Sequence, residues 1–249
     1  MKHKTILITG GSRGIGAATA MVAANRGYQV FINYLKNEEA AMRVVEHIKL
    51  NGGRAETFQA DVSSETEVMR LFATLDSRWG NLSALVNNAG ILEPQRRVEE
   101  MEADRLHRIF QANVVSCFLC AREAVLRMST KRGGVGGAIV NVSSLAARTG
   151  APGEYVDYAA SKGAVDTLTL GLSKEVADEG IRVNGVRPAF IYTDIHASGG
   201  EAGRVDRIKD SVPMKRGGQP EEVAQAILWL LSDEASYSTG TFIDITGGK

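Results

Sequence analysis

Strand-like and helix-like segments alternate from one end of the chain to the other. Short β-branched or apolar runs fall at Lys4–Thr9, Gln29–Tyr34, Arg54–Gln59, Ser83–Asn87, Ala138–Val142, Ile181–Val186 and Phe242–Ile245. Between them lie segments of helical period: Gly14–Arg26, Glu38–Leu50, Ser64–Arg78, Glu102–Thr130, Val156–Glu179 and, from Pro220, a run to Leu231. Gly27 follows the first helix as a natural C-cap, and Asn51-Gly52-Gly53 closes the second. Ser64 with Glu67 reads as a capping box. The segment Glu102–Thr130 reads as one long helix, and Gly133–Gly137 as a glycine-rich loop. The polar, glycine-flanked stretch Gly199–Val212 reads as a helical, mobile lid within about residues 194–212. Regular alternation of this kind predicts an α/β fold, a seven-stranded parallel sheet with helices on both faces.

The 249 residues suffice for one large domain over 1–249 with a substantial core, and no linker, repeat or low-complexity tract divides them. Lys+Arg and Asp+Glu are equal at 29 each, so charge gives no reason to expect nucleic acid or an anionic membrane as partner. The apolar run near the start is too short for a signal-peptide core, and no apolar stretch is expected to reach membrane-span length, so a cytoplasmic protein is expected. Cys117 and Cys120 have redox-like spacing but sit well inside a helical segment, where two packed thiols are expected.

Candidate chemistry sharpens this picture. Thr9-Gly10-Gly11-Ser12-Arg13-Gly14-Ile15-Gly16 joins the first strand to the first helix. Glycines there permit a tight turn and close backbone approach to a pyrophosphate, and the helix start supplies free N–H groups. The second strand ends at Asn33-Tyr34, with no carboxylate to grip a ribose 2′-hydroxyl. Arg13 and Lys36 can instead pair with a 2′-phosphate, favouring NADP(H), with NAD(H) the alternative.

Tyr158 and Lys162 lie one helical turn apart in Tyr158-Ala-Ala-Ser-Lys162. A phenol has a reference pKa of about 10, and an ammonium at i+4 lowers that value electrostatically. Ser144 falls just past the fifth strand, at the sheet edge where doubly wound folds bind ligands. Asn113 sits mid-helix, an unfavourable place that asks for a reason. Tyr155 and Ser143 are decoys: Ala159 stands four residues after Tyr155, and Ser143 is expected to point away from Ser144. No cluster suggests a metal.

Taken in order, these motifs resemble the short-chain dehydrogenase/reductase family over the whole chain. The glycine turn, Asp61-Val62 after the third strand, Asn87-Asn88-Ala89-Gly90, Asn113, Ser144 and Tyr158/Lys162 carry the resemblance. It implies a three-layer, doubly wound Rossmann fold. It further implies that Tyr158 exchanges a proton with the substrate oxygen, Ser144 orients that oxygen, and Lys162 holds the nicotinamide ribose. Asn113 is implied to hold a relay water. Cofactor contacts are implied at Gly10, Ser12, Gly14, Ile15, Gly16, Asn33, Tyr34, Asp61, Val62, Asn88, Ala89, Gly90, Pro188, Ile191 and Thr193. The family's Pro-Gly is Pro188-Ala189 here, where a positive φ costs more, and Thr246 replaces an aspartate. The two long helices resemble those that pair in family tetramers, so a homotetramer or dimer is implied.

The overall look is similar to 3-oxoacyl-carrier-protein reductases and to bacterial glucose dehydrogenase-like members. Three functions stay open: an NADP(H)-dependent reductase of a small carbonyl compound, an NAD-dependent sugar or polyol dehydrogenase, and a non-catalytic cofactor sensor or scaffold. Substrate walls are expected at Leu145–Val156 and Asp194–Asp210, including Glu154, Tyr155 and His196, with Arg204, Arg207 and Lys209 as a basic group on the lid.

Overall fold

The structure, a computed structural model, describes residues 4–249. Seven strands form it: β1 (Thr5–Ile8), β2 (Gln29–Tyr34), β3 (Arg54–Gln59), β4 (Leu82–Asn87), β5 (Gly137–Val142), β6 (Ile181–Pro188) and β7 (Phe242–Ile245). All pair parallel in the order β3-β2-β1-β4-β5-β6-β7. The helices are α1 (Gly14–Asn25), α2 (Glu38–Leu50), α3 (Glu65–Trp79), α4 (Ala103–Phe110), α5 (Ser116–Met128), α6 (Ala146–Thr149), α7 (Val156–Glu175), α8 (Ile195–Ser198), α9 (Arg204–Ile208) and α10 (Pro220–Leu231).

Alternation along β1 divides the core into two layers. Ile6 and Ile8 face one layer, with Val44 and Ile48 of α2 and Ile227 and Leu228 of α10. Leu7 faces the other, with Leu71, Phe72 and Leu75 of α3 and Cys120, Ala124 and Met128 of α5. Both faces of each central strand are therefore dry, which is why these strands read as near-continuous apolar runs. The chain leaves β1 toward β2 and β3, then returns to build β4 on the other side. This reversal opens a crevice at the carboxyl ends of β1 and β4, where an open α/β sheet binds ligands.

Several expected elements differ in detail. The segment Glu102–Thr130 is not one regular helix, because a π-turn at Gln111–Val115 separates α4 from α5. Asn113 lies in that turn, and its amide bonds the Ile91 backbone, so the side chain finds its partners outside the helix. The Ser64–Glu67 capping box does not form: Ser64 makes no side-chain cap, and the Glu67 carboxylate accepts from Asp61 N–H at 2.8 Å instead. Helix α7 stops at Glu175, with a 3₁₀ turn at Ala177–Glu179 ending at left-handed Gly180. In place of one helix over Gly199–Val212 there are the short α9 and a 3₁₀ turn at Lys209–Ser211; α8 precedes the stretch, and Gly200, whose φ is +86°, stands between α8 and α9.

Contrary to the expectation from sequence, Ala103–Met128 (26 residues) is long and apolar enough to cross a membrane by length and composition. Within the fold it packs Cys120, Ala124 and Met128 into the core beside the sheet.

Candidate active site

The glycine turn is held from two sides. Gly10 N–H donates to Asn33 Oδ1 at 3.3 Å and Gly11 N–H to the Asn33 carbonyl at 2.9 Å. Asn88 Nδ2 donates to the carbonyls of Thr9 and Gly10, each at 3.0 Å, and Thr9 Oγ1 accepts from Asn88 and Ala89 N–H. A Cβ on Gly16 would lie 2.5 Å from the Gly10 carbonyl and 2.6 Å from Asn88 Nδ2, so only glycine lets α1 press against the turn. Gly14, at φ +53°, takes the left-handed conformation that starts the helix. Among the described residues, the backbone N–H groups of Ser12, Arg13, Gly14, Ile15 and Gly16 donate to no protein acceptor. A helix start with free donors and a positive dipole end is built for an anion, so these residues fit a dinucleotide pyrophosphate.

A cavity of about 740 Å³ runs from this turn along the sheet edge. Gly10, Ser12, Arg13, Gly14, Ile15, Asn33, Lys36, Asp61 and Val62 border one end. Asn88, Ala89, Gly90, Pro188, Ile191 and Thr193 border the middle, with Ser144, Tyr158 and Lys162. Arg13 and Lys36 are exposed and form no ion pair among the described residues. Asp61 Oδ1 accepts from Ser63 N–H and Oγ–H, at 2.9 and 2.6 Å.

Three residues expected at the site do not border this cavity. Tyr34 points into the core layer shared with α1 and α2; burial first, and then the Glu38 carboxylate, push its phenol up. Strand alternation explains this, since Asn33 and Tyr34 point to opposite faces. Gly16 acts by packing under the turn. Asn113 is fully buried, its Oδ1 accepting from Ile91 N–H at 2.7 Å and its Nδ2 donating to the Ile91 carbonyl and Ser161 Oγ, each at 3.1 Å. Asn33 reaches the cavity, but its amide is engaged with Gly10 and with the Ala60 carbonyl at 2.9 Å.

At the Tyr158 end, Lys162 is 4% exposed and its Nζ donates to the Val142 carbonyl at 2.8 Å. That ammonium stands 5.6 Å from the Tyr158 ring centroid. Ser144 Oγ accepts from Ala146 N–H at 3.1 Å, which sets its rotamer at the end of β5. The decoys are spoken for: Ser143 Oγ donates to the Lys162 carbonyl at 3.3 Å, and Tyr155 O–H to the Gly199 carbonyl at 3.3 Å. Both still border the cavity. Ala189 has no positive φ, so the anticipated strain does not arise.

Sequence reasoning missed two supports. Arg105 and Asp157 form an ion pair at 2.7 Å, their side chains 5% and 0% exposed. Arg105 also donates to the Pro94 carbonyl at 2.6 Å, and Asp157 accepts from Tyr158 N–H at 2.9 Å. The pair thus ties α4, α7 and the loop after β4 together beside Tyr158. Ser161 Oγ donates to the Tyr158 carbonyl at 2.7 Å while accepting from Asn113. The separation of 52 residues between Arg105 and Asp157 leaves no local sequence signal. Among the described residues, no group of three His, Cys, Asp or Glu side chains could hold a metal ion.

A family model described as Enoyl-(Acyl carrier protein) reductase matches residues 10–249. The chain is 63% identical over 243 residues to the "Uncharacterized oxidoreductase YgfF" of Escherichia coli K12, covering 98% of each. It is 37% identical over 246 residues to "Glucose 1-dehydrogenase 2" of Bacillus subtilis, covering 98% of this chain and 94% of that protein. It is 36% identical over 247 residues to the "3-oxoacyl-[acyl-carrier-protein] reductase FabG" of Staphylococcus aureus strain Mu50, covering 98% of this chain and 97% of that protein. With its parallel sheet, its glycine turn and matches spanning nearly its full length, the chain belongs to the short-chain dehydrogenase/reductase family and is an NAD(P)-dependent oxidoreductase.

Proposed function

We propose that this single-domain enzyme transfers a hydride between NADP(H) and a carbonyl or secondary alcohol, with Tyr158 as the acid/base. The observation that carries the reading is one continuous cavity. It joins the free-donor glycine turn and the unpaired Arg13 and Lys36 to Ser144, Tyr158 and Lys162.

When bound, the nicotinamide supplies or takes the hydride. Ser12 to Gly16 would hold the pyrophosphate through backbone N–H groups. Arg13 and Lys36 would take the 2′-phosphate, where Asn33 offers no carboxylate to repel it. Asp61 and Val62 would hold the adenine, and Lys162 the nicotinamide ribose. One of the three Lys162 N–H groups is used by Val142, leaving the others for cofactor and solvent. The Tyr158 O–H gives a proton to the alkoxide oxygen in reduction, and its oxygen takes one from the alcohol in oxidation. Ser144 O–H donates to the substrate oxygen. Asn113 fixes Ile91, and with it the loop beside the reacting centre; one lone pair of its Oδ1 remains for a relay water. Exposed Phe110, Phe118, Leu126 and Leu170 support assembly into dimers or tetramers of this chain.

Oxidation of a sugar or polyol with NAD is a second reading, favoured by the likeness to a protein named glucose 1-dehydrogenase. The missing carboxylate at the end of β2 weighs against it. Titration with NADPH and NADH, read by nicotinamide fluorescence, decides between them. NADPH binding at least tenfold tighter is expected; equal or tighter NADH binding overturns the cofactor assignment.

A further inference from the structure

Beyond Ser144 and Tyr158, the far end of the cavity is walled by apolar groups, among them Leu92, Leu145, Ala151 and Phe190. A pair of charges interrupts this wall. Arg204 Nη1 donates to Glu154 Oε1 at 3.0 Å and Nη2 to Glu154 Oε2 at 2.5 Å, and both residues border the cavity. The Arg204 side chain is 9% exposed. Its guanidinium lies over the Tyr155 ring at 5.1 Å and near Phe190 at 5.8 Å, so its plane is fixed before any ligand arrives.

We infer that Glu154 and Arg204 anchor a hydroxyl of the substrate remote from the reacting carbon, so that the enzyme selects uncharged hydroxylated carbonyl compounds or alcohols. The inference rests on the reading that cofactor and substrate share this cavity. Glu154 keeps accepting capacity beyond its two bonds to Arg204, and its side chain is 31% exposed. Among the described residues, Arg204 Nε–H has no protein acceptor. A hydroxyl can donate to Glu154 and accept from Arg204 without breaking their pair.

An anionic group fares differently. Glu201 accepts from Arg204 Nη1 at 3.3 Å and from Arg207 Nη2 at 2.8 Å, so two arginines face two glutamates and the cluster carries no net charge. A carboxylate gains no surplus positive potential there. To take the guanidinium it must displace Glu154 and lie beside that carboxylate, like charge against like charge. Lys249 also borders the cavity, its Nζ donating to Ser211 Oγ at 3.1 Å, and Asp194 borders it with the opposite charge. The His196 Nε2–H is spent on the Ile191 carbonyl at 3.0 Å.

The test compares methyl ketones of matched chain length that end in methyl, hydroxymethyl or carboxylate, at several lengths, with NADPH. The expected order of kcat/KM at the best length is hydroxymethyl above methyl by about tenfold, with carboxylate lowest. In Glu154→Gln and Arg204→Met the hydroxymethyl-to-methyl ratio falls to near one. A purely structural clasp would lower all three substrates by the same factor and leave the ratio intact; that result overturns the anchor, as does carboxylate preference. Turnover with a flat ratio in the unmodified enzyme sinks the anchor and leaves the hydride-transfer reading standing. If no ketone is reduced and none of the matching secondary alcohols is oxidised with NADP⁺, that reading fails, and ligand-observed NMR on the NADP⁺-loaded protein tests the anchor alone. Preferential binding of the hydroxymethyl ketone, lost in Glu154→Gln, upholds it; equal binding of the three overturns it.

Discussion

Replacing Lys162 by Met removes one charge and keeps nearly the same length of side chain, so it isolates the electrostatic part of the proposed mechanism. The ammonium lies 5.6 Å from the Tyr158 ring centroid. With the ring centroid standing for the centre of the phenolate charge, unit charges at that separation attract by about 3 kcal/mol at an effective dielectric of about 20. If the transition state carries most of the phenolate charge, the loss corresponds to roughly 150-fold in rate. The ammonium is buried, so salt screens this attraction little. The assay is single-turnover carbonyl reduction with saturating NADPH, which separates the chemical step from weaker cofactor binding. A single-turnover rate within about threefold of the unmodified enzyme at neutral pH would refute the reasoning, since it would leave the Lys162 charge without a part in the chemical step.

Other consequences are equally direct. Arg13→Ala should weaken NADPH by about tenfold, the scale of one lost charge-assisted contact at an exposed site, and leave NADH nearly unchanged in the same titration. Burial, and then the Arg204 charge, hold the His196 imidazole below its usual range, with Nδ1 buried and without a partner among the described residues. Its neutral form therefore contributes stability that is present above about pH 6.5 and lost as pH falls through the folded-state value. Chemical denaturation at stepped pH should show this acid limb, and His196→Phe should flatten it. Glu201 acts in a separate, lower window: hydrogen bonding by Arg207 brings its carboxyl to about 2. Burial pushes the thiols of Cys117 and Cys120 up, so neither should react with a thiol reagent until the protein unfolds. Stoichiometric labelling of the native protein would contradict this.

The sheet and its crevice were legible because their causes are local. A strand buried on both faces must be apolar throughout, and a βα turn this tight needs glycine, as Gly14 at φ +53° and Gly16 against the Gly10 carbonyl show. Tyr158 and Lys162 were legible because a helix places i and i+4 together. What escaped depends on contacts distant in sequence. The π-turn at Asn113 exists because its amide bonds Ile91 across the structure, and a helical pattern of apolar residues runs through it unbroken. Glu67 caps Asp61 rather than Ser64, a choice between near-equal local partners that spacing does not rank. The orientation of Tyr34 follows from strand parity, but which parity faces the cavity is set by the turn that Asn33 supports.

The central claim is that Tyr158 moves the proton. Steady-state and single-turnover reduction by Tyr158→Phe, with NADPH affinity measured on the same preparation, tests it most directly. Turnover should drop by at least about a hundredfold, the low end of what a positioned acid contributes, while NADPH binds within a few-fold of normal. Retained turnover with intact NADPH binding would contradict the account and assign the proton transfer to another group.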